Sequence, residues 1–237
     1  MARCEEHPPR VAIIGVGGLG TPAAAALAAA GVSLRLIDPD FVEPSNLPRQ
    51  PLFGTGDIGK AKARVAAQRL GRAHPGLDIE ALVDLVEEDN ASDLLWGCTT
   101  LLDATDGLAA KTLLNAVAVE SGVALVHAGV LGLEGQLMTI RPAETACLRC
   151  LFVELPEEDE LPTCQQAGIL GPVVGLIGLA AAGEALALAQ GRRAPLENRL
   201  AILDARRLRW REVALRPNPA CPLDCCAKVL ASPPIAP

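Results

Sequence analysis

Residues 10–37 read RVAIIGVGGLGTPAAAALAAAGVSLRLI, and this stretch decides the fold. Arg10 to Gly15 carries Val11, Ala12, Ile13 and Ile14 in succession, the run expected of a strand covered on both faces. Glycines follow at once. The Ala-rich segment from Thr21 to Ala30 is a strong helix former, ended by Gly31. Ser33 to Ile37 is a second strand, closed by Asp38-Pro39. Strand, helix and strand within about thirty residues make a β-α-β unit.

Between its first strand and its helix, Gly15-Val16-Gly17-Gly18-Leu19-Gly20 fits G-x-G-x-x-G. Gly15, Gly17, Gly18 and Gly20 let the backbone turn tightly and approach a phosphate, while the helix start offers amide donors and partial positive charge. Asp38 ends the second strand, where an acid can bond a ribose hydroxyl. This pattern implies a nucleotide without saying which one.

The chain beyond Asp38 separates the possibilities. A dinucleotide-dependent oxidoreductase would turn straight into a helix here. Instead residues 39–59 hold four prolines and three glycines, too long for an idle connection. The order is Asp38-Pro39-Asp40, then Ser45-Asn46-Leu47-Pro48-Arg49-Gln50, then Lys60-Ala61-Lys62. Asn46, Arg49 and Lys62 are therefore expected beside the nucleotide cleft. Cations there suit the charge that moves between phosphates in nucleotidyl transfer.

Further on, the spacing predicts a helix over Lys60 to Leu70, a strand within Ile79 to Val86, and a short helix over Ala91 to Trp96. A strand at Thr100 to Leu102 ends in Asp103; a helix over Leu108 to Glu120 and a strand at Val123 to His127 follow. That alternation implies an α/β fold with a doubly wound, mostly parallel sheet. The pattern then changes to an extra strand at Gln136 to Arg141, a long apolar helix at Gly171 to Gln190, and closing strands at Leu200 to Leu203 and Leu208 to Leu215. The acidic stretch at 154–163 reads as a mobile surface loop. We expect one domain over residues 1–237, with a nucleotide-binding half at 11–130 and a partner-binding half at 131–237.

Composition limits the partners. The 237 residues carry a net charge of -7, half are apolar, and there is no Tyr. Acidity argues against nucleic acid as main partner, since that calls for a basic face. The opening MARCEEHPPR has no apolar secretory stretch, and the apolar run from Pro172 to Ala189, which carries Glu184, is expected to be a core helix rather than a membrane span. The cytoplasm is the expected compartment. Eight cysteines include Cys147 and Cys150 in C-x-x-C spacing and a cluster at Cys221, Cys225 and Cys226. Paired cysteines in a cytoplasmic protein are more often metal ligands than disulfides. Cys4, Cys98, His7, His74 and His127 lie in no ligand or base pattern.

The chain resembles the ThiF/MoeB/HesA family, bacterial relatives of ubiquitin-activating enzymes, from Val11 to Cys225. The resemblance is carried by the glycine loop, Ile37-Asp38 with Asp40, Ser45 to Gln50, Lys62 and Leu102-Asp103-Ala104-Thr105-Asp106. It continues in Gly135-Gln136, Cys147-Leu148-Arg149-Cys150, Cys164 with Ala167-Gly168, and Gly171 to Gly175. It implies a Rossmann-like fold and an enzyme that uses ATP and Mg²⁺ to adenylate the C-terminal Gly-Gly carboxylate of a ubiquitin-like sulfur-carrier protein, releasing pyrophosphate. It implies Asp38 at the ribose, with Asp40 beside it, Asn46, Arg49, Gln50 and Lys62 at the phosphates, and Asp106 on Mg²⁺. Asp103 would be a helix cap or support.

The same resemblance implies a structural Zn²⁺ on Cys147, Cys150, Cys221 and either Cys225 or Cys226, with Cys225 preferred. It implies that Cys164 captures the activated carboxyl or takes part in sulfur transfer. It also implies a homodimer and a sulfur donor such as a cysteine desulfurase or a rhodanese. Two departures stand out. The family's N-terminal Arg has no matching motif here, with only Arg3 and Arg10 available, and Gly107 stands where Asn usually follows the Mg²⁺-site Asp. A homologue that binds nucleotide or carrier without turnover is the alternative reading, and an NAD-dependent oxidoreductase the more distant one.

Overall fold

A computed structural model describes residues 9–155, 168 and 170–225. The chain opens with β1 (Arg10–Ile14), α1 (Gly20–Ala29) and β2 (Ser33–Ile37), the expected β-α-β unit. The irregular segment after it is ordered by two short 3-10 helices, Pro44–Arg49 and Thr55–Asp57. Then come α2 (Lys62–Ala73), β3 (Ile79–Leu82), α3 (Ala91–Leu94), β4 (Thr100–Asp103), α4 (Leu108–Ser121) and β5 (Ala124–Leu131). The second half adds β6 (Glu134–Ile140), α5 (Leu148–Leu151), α6 (Gly171–Ala189), β7 (Arg199–Asp204) and β8 (Arg209–Ala214).

All eight strands form one sheet in the order β3-β2-β1-β4-β5-β6-β7-β8. From β3 to β5 the pairing is parallel; from β5 to β8 it is antiparallel. Alternation along β1 decides the two layers. Val11 and Ile13 face the cluster that holds α1, α2 and α6, while Ala12 and Ile14 face the cluster that holds α4, α5 and five cysteines. Gly-to-Ala-sized side chains let α1 and α6 approach closely. A Cβ on Gly178 would lie 2.4 Å from the Leu19 carbonyl oxygen and 2.8 Å from Pro22.

The apolar helix α6 has the length and composition to cross a membrane, yet half of that stretch is buried within the fold. Its buried Glu184 has an internal purpose. It accepts hydrogen bonds from Thr139 Oγ1 (2.6 Å) and the Leu196 amide (3.0 Å), tying α6 to β6 and to the approach to β7. Burial still pushes its carboxyl up, against those two bonds.

Several expected boundaries are corrected. The helix expected from Lys60 starts at Lys62, because Ala61 is extended and bridges to Phe41, and it runs on to Ala73. The strand expected within Ile79 to Val86 occupies Ile79–Leu82 and stops where its pairing with β2 ends. The strand expected to end at His127 continues to Leu131, because β6 pairs along its other edge. The expected acidic loop lies almost wholly outside the described residues, as do Cys4, His7, Arg3, Cys164 and Cys226.

Candidate active site and metal centre

In a doubly wound sheet the ligand crevice opens where the chain reverses its winding direction, at the carboxyl ends of the strands. Here that point lies between β1 and β4. The loop after β1 is the glycine loop, and the loop after β4 carries Thr105 and Asp106. The two touch: a Cβ on Gly15 would lie 2.7 Å from the Ala104 carbonyl oxygen and 3.2 Å from the Thr105 nitrogen, and Gly15 itself has φ +91°. Gly20 is constrained as tightly, since its Cβ would stand 1.9 Å from the Gly15 carbonyl oxygen. The first turn of α1 has no side-chain cap and no acid, but Pro22 carries no N–H and the Thr21 and Ala23 amides donate to the Gly17 and Leu19 carbonyls, so a ligand would be met by the glycine loop ahead of them.

Asp38 braces this loop. Its Oδ2 accepts from the Val16 amide at 2.6 Å and its Oδ1 from the Asp40 amide at 2.8 Å. Burial pushes the Asp38 carboxyl up from its ordinary range, against the pull of the Lys62 ammonium and the two amides. Lys62, buried at the start of α2, donates to Asp40 Oδ2 at 2.7 Å, and its amide donates to the Asp40 carbonyl at 2.9 Å. The pair fixes α2 against the segment after β2, with the exposed Asp40 as the outer member.

The 3-10 helix at Pro44–Arg49 closes another side. Gln50 is buried, with its Nε2 3.6 Å from where a Gly17 Cβ would stand, and its Oε1 has no hydrogen-bond partner among the described residues. A buried acceptor against a phosphate-type glycine loop is a place for a donor from a ligand. The Arg49 carbonyl lies 3.5 Å from a Cβ on Gly18, while its half-buried guanidinium donates to the Ser45 carbonyl at 2.7 Å. Asn46 spends its side chain on the turn itself, accepting from the Glu43 amide at 3.4 Å and donating to Ser45 Oγ at 3.3 Å. Val174 of α6 packs on Gly18, so the second half of the chain also walls the loop.

Asp106 is exposed on the β4–α4 loop, with no ion pair to Arg49 or Lys62 among the described residues. Its neighbour Asp103 behaves in the opposite way. Asp103 is fully buried and accepts from the Thr105 amide (3.1 Å), Thr105 Oγ1 (2.7 Å), Lys111 Nζ (3.1 and 3.3 Å) and His127 Nδ1 (2.9 Å). The cap reading for Asp103 is corrected: Gly107 is the N-cap of α4 and no side chain caps it. His127, which lies in no ligand or base pattern along the sequence, gains a carboxylate partner through the sheet, since β4 and β5 place it directly opposite Asp103. Burial alone would push Asp103 up; the Lys111 ammonium and the His127 hydrogen bond outweigh it and hold the carboxyl well below the usual range. Burial pushes the His127 imidazole down, with Lys111 acting in the same sense and Asp103 opposing. His127 is therefore neutral, with its Nδ1 proton on Asp103 and its Nε2 3.4 Å from Gln136 Nε2.

Arg10 does not reach this site. It sits at the opposite end of β1, paired with Asp78 and Glu80 beside β3.

A second centre lies below α4. The thiols of Cys147, Cys150, Cys221 and Cys225 all fall within 4.8 Å of one another. Adjacent sulfurs are 3.5 to 3.6 Å apart, close to the ~3.8 Å edge of a tetrahedron with Zn–S bonds of about 2.3 Å. The Cys147 thiol is pushed down to about 5, chiefly by hydrogen bonding from Cys225, with burial opposing and Cys221 assisting. A thiolate in reach of three more sulfurs is a donor set that fits zinc, and four ligands leave no open position for catalysis. Asn115 of α4 accepts from the Leu148 amide at 3.0 Å, linking α4 to this knuckle.

The ThiF family's sequence profile matches residues 7–223. The chain belongs to the ThiF family. Similarity to curated ThiF-family proteins extends over most of the chain. The Sulfur carrier protein ThiS adenylyltransferase of Escherichia coli (strain K12) is 40% identical over 216 residues, covering 90% of this chain and 85% of that protein. The SAMP-activating enzyme E1 of Haloferax volcanii is 38% identical, covering 90% and 79%. The Molybdopterin-synthase adenylyltransferase of Salmonella typhimurium is 35% identical, covering 90% and 85%. The fold resembles that of E. coli MccB crystallised with ATP, with a TM-score of 0.80 at 19% identity, over 91% of this chain and 65% of that one. Family membership displaces the oxidoreductase alternative.

Proposed function

We propose that this ThiF-family chain adenylates the C-terminal Gly-Gly carboxylate of a ubiquitin-like sulfur-carrier protein. The observation that carries the reading is the switch-point crevice, where the glycine loop backs onto Ala104 and Thr105 of the loop bearing Asp106 and meets Gln50 and Val174 on its other sides; Arg49, Lys62 and Asp106 are the charged groups this reading assigns to it. Curated relatives 40% and 35% identical to this chain are named as adenylyltransferases of sulfur carriers.

A carboxylate is a weak nucleophile, and a polyphosphate repels it. The protein's task is to align the two and neutralise charge rather than to supply a strong base. In this reading ATP lies over Gly15 to Gly20 with its ribose at Asp38 and its phosphates toward Asn46, Arg49, Gln50 and Lys62. Arg49 would then exchange the Ser45 carbonyl, and Lys62 its bond to Asp40, for phosphate oxygens. A carrier carboxylate oxygen bonds to the α-phosphorus, and the bond to the β-phosphate bridging oxygen breaks. The electron pair leaves with pyrophosphate. Mg²⁺ suits one exposed carboxylate plus substrate phosphates, which matches Asp106. When bound, it neutralises the leaving phosphates.

The 11–130 segment is the nucleotide-binding half of a single domain in this reading, and 131–237 the carrier-binding half. Zn²⁺ on Cys147, Cys150, Cys221 and Cys225 is structural. Such thiolates persist in the reducing cytoplasm, where we place the chain. A homodimer would cover Leu176, Leu179, Trp210 and Val213, which are exposed on α6 and β8; sedimentation at micromolar concentration checks it. A cysteine desulfurase or rhodanese then supplies sulfur to the activated carrier.

ATP–pyrophosphate exchange with a Gly-Gly-ended carrier tests the main reading. Wild type should exchange, Asp106→Ala should lose exchange by at least about a hundredfold with its unfolding curve unchanged, and Cys164→Ser should retain exchange but block the later transfer of sulfur. Tight carrier binding without exchange in the wild type would refute catalysis and leave a binding protein.

A further inference from the structure

We infer that Asp103, Lys111, His127 and Thr105 form a positioning unit that sets the loop bearing Asp106, and that Asp103 is not itself a metal ligand. The inference rests on the reading of Asp106 as the Mg²⁺ ligand, and goes beyond it by dividing two nearby carboxylates into separate tasks. A carboxylate offers about four lone-pair sites. On Asp103 all four are taken, by the Thr105 amide, Thr105 Oγ1, Lys111 Nζ and His127 Nδ1. No site remains for a cation without breaking a bond made in a fully buried setting. Lys111 has its own additional anchor, the Ala128 carbonyl at 2.7 Å. His127 has a neighbour in Gln136 of β6.

The unit therefore joins β4, α4, β5 and β6 through side chains, and its outward arm is Thr105. Both donors of Thr105 bond to one Asp103 oxygen, which closes a tight turn immediately before Asp106. On the other side, the Thr105 nitrogen backs onto Gly15. The loop is thus held between the buried carboxylate and the glycine loop, and Asp106 is presented from a fixed backbone although its own side chain is exposed. Groups that orient a metal ligand without touching the metal commonly matter almost as much as the ligand.

Asp103→Asn leaves Lys111 without its counter-charge and lowers stability directly, so the informative variant is Thr105→Val. It keeps shape and the amide bond but removes the hydroxyl donor. Calorimetric titration of ATP at graded Mg²⁺, and with chelator, reads the metal requirement without turnover. Thr105→Val should raise the Mg²⁺ half-saturation for ATP binding roughly tenfold. It should leave metal-free ATP affinity unchanged, and amide exchange should quicken at residues 104–107. Thr105→Ser should restore the wild-type value. An unchanged Mg²⁺ requirement in Thr105→Val, or an equal weakening of metal-free ATP binding together with a lower melting temperature, overturns the inference. A wild type that lacks pyrophosphate exchange but shows the Thr105→Val shift would sink the adenylation reading and leave this one standing.

Discussion

Lys111→Met removes a buried ammonium while keeping most of its aliphatic stem. In the native fold that ammonium stands 3.1 and 3.3 Å from the Asp103 oxygens and 2.7 Å from the Ala128 carbonyl. The variant leaves a fully buried carboxylate without its cation and a buried carbonyl without that donor. Breaking a buried ion pair from one side costs about 3–5 kcal/mol. For a chain of this size each kcal/mol lowers the melting temperature by ~2–4 °C, so the expected fall is roughly 10 °C. The double variant Asp103→Asn/Lys111→Met removes both charges, and should return to within about 2 kcal/mol of wild type, because the desolvation of two ions offsets much of their attraction. His127 adds a pH signature. Burial and Lys111 together hold its imidazole down in the wild type. Without Lys111, the proton-bearing imidazole is the only cation left for Asp103, and its folded-state pKa rises. A folded pKa held below the unfolded value costs stability as pH falls, and one held down less strongly costs less. The deficit of Lys111→Met should thus be smaller at pH 6 than at pH 8. Urea unfolding of the four proteins of the cycle at both pH values supplies the numbers. A single-variant loss below about 1 kcal/mol, or a double variant no better than Lys111→Met, would refute the buried-pair account.

Two further outcomes follow from other parts of the fold. Cys147→Ser should release zinc and lower the melting temperature, and a chelator should do the same to wild type, whereas Cys98→Ser should leave metal content unchanged; equal zinc in Cys147→Ser and wild type refutes the ligand set. Gly178→Ala should destabilise by about 1–3 kcal/mol through overpacking against Leu19 and Pro22, while Gly183→Ala, with open space around it on the same helix, should be neutral or stabilise by up to about 1 kcal/mol; equal effects would mean that α1 and α6 do not cross so closely.

The first half of the fold was legible because its signals are local. Four apolar residues, a glycine loop and an alanine helix specify β1 and α1 with little help from distant parts. Asp38, Gln50 and Lys62 could be nominated because motif order carries information about a shared crevice. The Asp103 hub was not legible, for a physical reason. His127 meets Asp103 only through the parallel register of β4 and β5, which aligns residues 24 apart in sequence. One signal was present, however. In α4, Lys111 and Asn115 stand four residues apart on the same buried stripe as Leu114 and Ala118. Polar groups on an apolar stripe must have partners, and those partners proved to be Asp103 and the amide of Leu148. The end of β5 at Leu131 was missed because pairing with β6, rather than residue preference, decides where it stops.

The four-sulfur knuckle also dictates a schedule for the newborn polypeptide. Its two halves are separated by 74 and 75 positions along the chain. At roughly 5–20 residues per second on a ribosome, several seconds pass between their emergence. Throughout that interval the first pair offers an ion only half a cage, while α6 and the hairpin of β7 and β8 are translated ahead of Cys221. Capture of an ion by these four sulfurs would therefore be a late seal, one that a chain cut short before Cys221 would never acquire.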